Sequence, residues 1–406
     1  LQESKARLTR RIVLLAFAAF ASAMSIRIGD PLLPQLASAF GLPISGVAPT
    51  VSGFAFAYGC MQLVYGPVGD RFGKYHVIAW ATLASVAGTL GSAAAGSAGV
   101  LIACRVLTGA TAAAIIPLSM AWIGDHTPYH DRQAVLARFL TGQILGLACG
   151  QLMGGLLADL VGWRGAFLFL SVVYLAAGVL LAREISEPSH SDRRPQPRAV
   201  PTPLHHQTLQ VLRSGWARSI LAWVLVEGAA AFGAFAFAPT YLHQRFGLTL
   251  GAAGALMSLF GLGGLGYALL ARRFIARLGE AGLALGGGLL LAAAFLTLGV
   301  ARQALWAAPA ALAAGLGFYM LHNTFQTHGT QMAPAARGTA VAIFASCLFL
   351  GQALGVSAAS RIADRAGAPP VFLLAAALLL LVGVSFSVVL RRRHQGARTS
   401  STGTLD

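Results

Sequence analysis

The few ionisable residues that this chain places inside its apolar stretches define the chemistry open to it. Two of its thirteen acids fall there, Asp30 and Glu227, with three arginines, Arg27, Arg105 and Arg138. A carboxyl group in a medium of low dielectric can exchange between protonated and ionised forms as its access to water or to a cation changes. Arg27 and Asp30 stand three residues apart and share a helix face. Arg105 is expected at comparable depth, so Asp30 can be neutralised by a cation in one arrangement and protonated in another. A fixed ion pair between Arg27 and Asp30 is the alternative reading. Glu227 has no charged neighbour within its own stretch and is the acid expected to handle a proton or a ligand directly.

Uncharged polar residues recur at helical spacing in the same stretches. Tyr319, His322, Asn323 and Gln326 stand at i, i+3, i+4 and i+7, and Tyr58, Gln62 and Tyr65 at i, i+4 and i+7. Lipid would penalise either stripe, so each should face a wet cavity or another helix. Phe232, Phe235 and Phe237 follow Glu227 and offer aromatic surface, either to a ring-bearing ligand or to packing. The binding set expected from these residues is Arg27, Tyr58, Gln62, Glu227, Phe235, Tyr319, His322 and Asn323. It suits an amphipathic small organic molecule, and the arginines leave organic anions and secreted chelators open.

The elements that must hold these residues are membrane helices. Of 406 residues, 56% are apolar and only 10% charged, with a mean hydropathy of +0.70, whereas water-soluble domains carry about a quarter charged residues. Apolar runs long enough to cross a hydrocarbon core are expected near 12–36, 46–67, 75–96, 99–123, 133–157, 164–182, 217–240, 250–270, 281–300, 305–326, 338–360 and 370–390. The expected fold class is therefore all-α integral membrane, with twelve transmembrane helices. The net charge of +16 would suggest nucleic acid in a soluble protein, but the basic residues sit in the short segments between spans. With a cytoplasmic N-terminus, 21 of the 29 fall on the cytoplasmic side, five on the other and three within spans, which places both termini in the cytoplasm. Leu1 is read as a trimmed or processed start, with the first span retained.

Residues 184–215 include Glu187-Pro-Ser-His-Ser-Asp-Arg-Arg-Pro195, a charged, Pro-rich stretch near the middle of the chain, and read as a linker. They separate an N-terminal six-helix bundle, 1–183, from a C-terminal one, 216–390, with a cytoplasmic tail at 391–406. Gly150, Gln151 and Gly154 recur as Gly351, Gln352 and Gly355 at a constant offset, which suggests duplicated halves in a pseudo-twofold relation around a central path.

The loop after the second span reads Gly66-Pro-Val-Gly-Asp70-Arg71-Phe-Gly73-Lys74. Its glycines allow a sharp turn and close approach, Asp70 can accept from a helix N-terminus or a basic side chain, and Arg71 and Lys74 can meet anionic groups. This G-x-x-x-D-R-x-G-K pattern resembles the signature loop of the major facilitator superfamily, with Tyr75 and His76 where that loop usually has a further basic residue. The resemblance implies two bundles rocking about a midplane cavity, with Asp70, Arg71 and Lys74 in a gating latch. The matching loop after the eighth span, with Arg272, Arg273, Arg277 and Gly279, has no acid. Arg105-x-x-x-Gly109 resembles the fourth-span motif of proton-driven members and implies a role for Arg105 in proton coupling, beside the buried acids Asp30 and Glu227 read above from their placement in apolar stretches. Gly142, Gly146, Gly150 and Gly154 recur every fourth residue, followed by Gly155, a smooth stripe for close packing. Gly146-x-x-x-Gly150-Gln151-x-x-Gly154-Gly155 is similar to the antiporter motif of the drug-exporting branch, with Gln151 in place of proline, and Asp30-Pro31-Leu-Leu-Pro34 resembles an element of twelve-span drug/proton antiporters.

Cys60, Cys104, Cys149 and Cys347 lie within spans without paired spacing and read as small packing residues. No phosphate-binding loop, His-Glu-x-x-His pair or nucleophile motif is present. The chain is therefore not expected to be an enzyme or to hold a metal or cofactor. The reading is a monomeric multi-pass protein of a bacterial-type inner membrane, whose partners are the lipid bilayer, protons and a small organic substrate, with no nucleic acid. It exports the substrate against inward protons. A proton-driven importer, or a membrane sensor that binds without turnover, are the rivals.

Overall fold

A computed structural model describes residues 2–185 and 204–402. Among them there is no strand, and ten helical segments are long and apolar enough to cross a membrane. The first five are α1 (Ala6–Phe40), α2 (Ile44–Phe72), α3 (Lys74–Ala94), α4 (Ala98–His126) and α5 (Asp131–Ile185). A short helix, α6 (Leu204–Arg213), precedes α7 (Gly215–Phe246), α8 (Leu250–Val300), α9 (Ala304–Gln331), α10 (Arg337–Ala366) and α11 (Pro369–Arg393). Most of the expected 184–215 linker, residues 186–203, lies outside the described residues, but its end is α6, which buries Val211 and leaves Leu209 and Leu212 exposed. The helix of α11 continues to Thr402, through much of the expected tail. No proline interrupts it there, and each added residue of an existing helix gains a hydrogen bond. Residues 403–406 lie outside the described residues.

Two segments are far longer than the rest. The 55 residues of α5 would extend about 80 Å if straight, well over twice a hydrocarbon core. Each long segment breaks at one glycine, Gly162 in α5 (φ 76°, ψ 171°) and Gly279 in α8 (φ 60°, ψ −179°). A side chain at that φ would clash with its own backbone, so glycine is where the chain can turn without strain.

Glycine also decides which helices touch. Along α5, a Cβ added at Gly142, Gly146, Gly150 or Gly154 would run into the backbone oxygens of Ala16, Phe20, Met24 and Ile28 in turn. The four-residue repeat thus meets a four-residue repeat on α1, and the helices run parallel. Gly351 and Gly355 of α10 meet Leu225 and Ala229 of α7 in the same way, at the same offset of 201 residues as the glycines themselves. Gly155 faces away from α1, toward Leu250 and Gly251 of α8.

Polar contacts mark two ends. At the distal end, Gln35 donates to the carbonyl of Ala158 (2.7 Å) and Arg164 to that of Ala95 (3.0 Å). At the terminal end, Arg10 pairs with Glu184 (2.8 Å) and His328 with Glu280 (3.1 Å). Toward that end, side chains of Arg138, Gln326 and Thr327 are exposed.

Candidate functional site

The first helix of α1 stops at Arg27, and the chain resumes at Asp30 in a 3₁₀ turn with Pro31 in its first positions. Proline lacks the N–H that a first turn leaves unpaired, so it fits there without the hydrogen bond it costs deeper in a helix. The break leaves Asp30 wholly buried, with Arg27 Nη1 3.4 Å and Gln151 Nε2 2.8 Å from its Oδ2. Its Oδ1 has no hydrogen-bond partner among the described residues. The Arg27 guanidinium also lies over two rings of α7, 4.1 Å from the centroid of Phe232 and 5.5 Å from that of Phe235. Such cation–π contacts strengthen when desolvated. A void of about 10 Å³ beside it, lined by Arg27, Gln151, Phe235, Met257 and Phe260 among others, is on the scale of one water.

Arg105 is not the partner of Asp30. Its Nε donates to the carbonyl of Thr50 (3.1 Å) and its Nη2 to that of Ser25 (3.0 Å), with Nη1 3.4 Å from Ser25 Oγ. Ser25 lies in the last turn before the break, where helix carbonyls lack an intrahelical partner. The interrupted helix, through Ser25, and α2, through Thr50, therefore supply the acceptors that let a guanidinium remain buried without a carboxylate. The Phe54 ring, 4.3 Å from the guanidinium carbon, covers one face.

Glu227 does have a partner. His322 Nδ1 sits 2.8 Å from its Oε2, while Oε1 is without one among the described residues. The α-helix of α7 ends at Glu227 and is followed by a π-helical turn, Gly228–Phe232. Such turns insert one residue and re-aim the side chains beyond them. Here they bring Phe232 to 4.7 Å from Phe318 and Phe235 to 4.8 Å from Phe260. Phe318 in turn stacks on His322 at 4.9 Å. A continuous path of contacts thus runs from Asp30 through Arg27, Phe232, Phe318 and His322 to Glu227, joining two buried acids from opposite parts of the chain.

Other expected residues lie around this path in different settings. Tyr319 is half-buried, 5.5 Å from Phe318, and Asn323 is half-buried on the same helix. Tyr58 is buried, 3.5 Å from the Ser22 hydroxyl, with its ring tilted against that of Phe349 of α10 at 4.3 Å, and Gln62 is buried one turn further on. At the terminal end, Gly73 (φ 89°) turns α2 into α3, and Lys74 bridges Asp70 (3.5 Å) and Asp125 of α4 (2.5 Å). Arg71 and Gly66 are exposed, the former 5.2 Å from the ring of its neighbour Phe72. The four cysteines are free.

Sequence reasoning missed the π turn, the His322–Glu227 pair and Asp125. Only the run Gly228-Ala-Ala-Ala hints at the first, since small residues let α7 approach α10. The histidine lies 95 residues from its acid, and Asp125 lies 51 from Lys74, distances over which no spacing rule operates.

These features describe a polytopic helical membrane protein with a charged, aromatic interior. The family model of the Major Facilitator Superfamily matches residues 15–356, and the chain belongs to that superfamily. It is a secondary transporter and not an enzyme. It is 26% identical over 339 residues to the uncharacterised MFS-type transporter YceJ of Bacillus subtilis (strain 168), covering 81% of this chain and 83% of that one. A chloramphenicol resistance protein of Pseudomonas aeruginosa is 31% identical over 149 residues, 36% of this chain and 35% of its own length. The 4-hydroxybenzoate transporter PcaK of the same species is 27% identical over 178 residues, 44% and 40% of the two chains. Among solved structures, a bacterial homologue of the human lysosomal transporter Spinster, in an inward-facing and unoccupied conformation, superposes with a TM-score of 0.74 at 16% identity, covering 95% and 97%.

Proposed function

We propose that this chain exports an amphipathic small organic compound in exchange for protons, by alternating access between two six-helix halves. Counting the breaks at Gly162 and Gly279 as turns at the membrane surface, the ten segments make twelve crossings, six in 1–183 and six in 216–390. Both termini are then cytoplasmic, as the basic residues favour. The terminal end becomes the cytoplasmic face, and the arrangement described is closed on the far side. The observation that carries this reading is the path joining two buried acids through an aromatic cluster. Each acid has one oxygen bonded and one free, so each can take a proton without dismantling its surroundings. Ligand entering among Phe232, Phe235, Phe260 and Phe318 would disturb Arg27 and His322 together, which couples occupancy to both acids. Arg105, held by backbone carbonyls, keeps a positive charge nearby and favours an ionised Asp30 through space.

Proton release on ligand binding tests this. Purified protein in weakly buffered detergent is titrated with lipophilic cations, neutral amphiphiles and organic anions, and again as Glu227→Gln. Release that disappears in the variant supports exchange at Glu227. Binding without release sinks it. A second reading, uptake of aromatic organic anions, rests on Arg27, whose 3.4 Å contact with Asp30 is long enough to be exchanged for a substrate carboxylate. The sign of accumulation in vesicles under an imposed pH gradient separates the two.

A further inference from the structure

The distal end carries two carboxylates whose settings repeat. Asp159 stands three residues before Gly162 (φ 76°, ψ 171°), and Asp364 three residues before Gly367 (φ 77°, ψ 175°). Each reaches out of its own half. Asp159 Oδ1 accepts from the backbone N–H of Leu250 (3.1 Å) and Oδ2 from that of Gly251 (2.7 Å), at the start of α8. Asp364 Oδ2 accepts from the N–H of Ser45 (3.1 Å), at the start of α2. The receiving segments repeat as well. Phe40-Gly41-Leu42 leads into α2 and Phe246-Gly247-Leu248 into α8, with Gly41 at φ 63° and Gly247 at φ 67°.

The first N–H groups of a helix have no partner within it and carry the positive end of its dipole. A carboxylate placed there makes charge-assisted bonds that need no complementary side chain. An acid on the first half therefore holds a helix of the second, and the matching acid on the second half holds a helix of the first. Both carboxylates are exposed at the rim. Water can replace either contact, so the contacts are reversible in a way that a buried ion pair is not.

We propose that Asp159 and Asp364 are a reciprocal pair of gate residues that set how much of the population is closed at the distal end. The proposal rests on the alternating-access reading. It assigns the distal gate to two residues outside the proton and ligand path, and it makes that gate two-sided, whereas the contact at the terminal end described above, Asp70–Lys74–Asp125, belongs to the first half alone.

The test is the distance between the halves, read by double electron–electron resonance on the full chain in lipid nanodiscs without added ligand. Spin labels are placed at Gly96→Cys and Gln303→Cys, exposed positions of the distal loops, with the four native cysteines replaced by alanine. In Asp159→Ala/Asp364→Ala the ratio of distally open to closed molecules is expected to rise on the order of tenfold, with each single variant giving a smaller rise. Asp159→Asn and Asp364→Asn, which keep an acceptor and lose the charge, are expected to fall between, and they serve in place of the alanine variants should those not fold. A distance distribution the same in all variants as in the parent overturns the proposal. Failure of the transport reading shows elsewhere, as absence of flux in vesicles, while the shift in distance still stands.

Discussion

Asp30 and Glu227 are each buried with one oxygen bonded and one unpaired, and their replacements should separate exchange from coupling. In Asp30→Asn and Glu227→Gln, counterflow of labelled for unlabelled substrate is expected to persist, whereas accumulation driven by a pH gradient should fall at least about tenfold, since the amides cannot carry a proton between states. Accumulation that survives in both would exclude these acids as the coupling sites. Arg105 illustrates why residue roles were only partly legible. The sequence shows a buried cation and a buried acid at similar depth, and pairing them is the economical inference. The partner is instead backbone carbonyl, which any residue can supply and no sequence pattern advertises. Arg105→Lys keeps the charge but cannot reach Thr50 and Ser25 with separate nitrogens. A loss of about 2–4 kcal/mol is expected from the two backbone bonds to a charged group, measured as thermal stability in detergent.

At the scale of helices, small residues decide what packs. The glycine stripe of α5 could be read from spacing alone, because a four-residue repeat on one helix implies a face, and the partner face on α1 has the same repeat. Gly146→Val should therefore put a branched side chain against the Phe20 carbonyl and destabilise by about 1–3 kcal/mol, observed as a lowered melting temperature. A variant as stable as the parent would mean the helices separate freely there. The π turn was not legible, since no residue type demands it, and it lies where α7 and α10 pack most closely through glycines. Deleting Ala230 should remove the extra residue and let α7 continue as plain α-helix with Phe232 and Phe235 still facing nearly as they do now relative to Glu227, since a π turn absorbs one residue without advancing the helix face. Retained ligand binding with retained expression is expected, checked by scintillation proximity with a ligand identified in the proton-release panel, and loss of binding would mean that the turn itself shapes the site.

At the scale of the whole molecule the apolar helices and the repeated glycine contact were legible, because hydropathy and glycine spacing are local signals. Contacts between the halves were not, since they join residues some 90 to 320 positions apart through backbone groups. Orientation has a direct check. Arg277→Cys should react with an impermeant maleimide from the cytoplasmic side of vesicles and Gln303→Cys from the other, and the reverse labelling would invert the topology. Arg105 has a consequence at this scale too. Held by carbonyls instead of a carboxylate, it is a permanent charge within the electric field of the membrane, where one elementary charge moved across 100 mV is worth about 2.3 kcal/mol. In the alternating access proposed above, the first half would carry that charge through part of the voltage drop. The rate of conformational exchange should then respond to a potassium diffusion potential even with a neutral cargo and no pH gradient, a response to voltage that is separate from the proposed proton coupling.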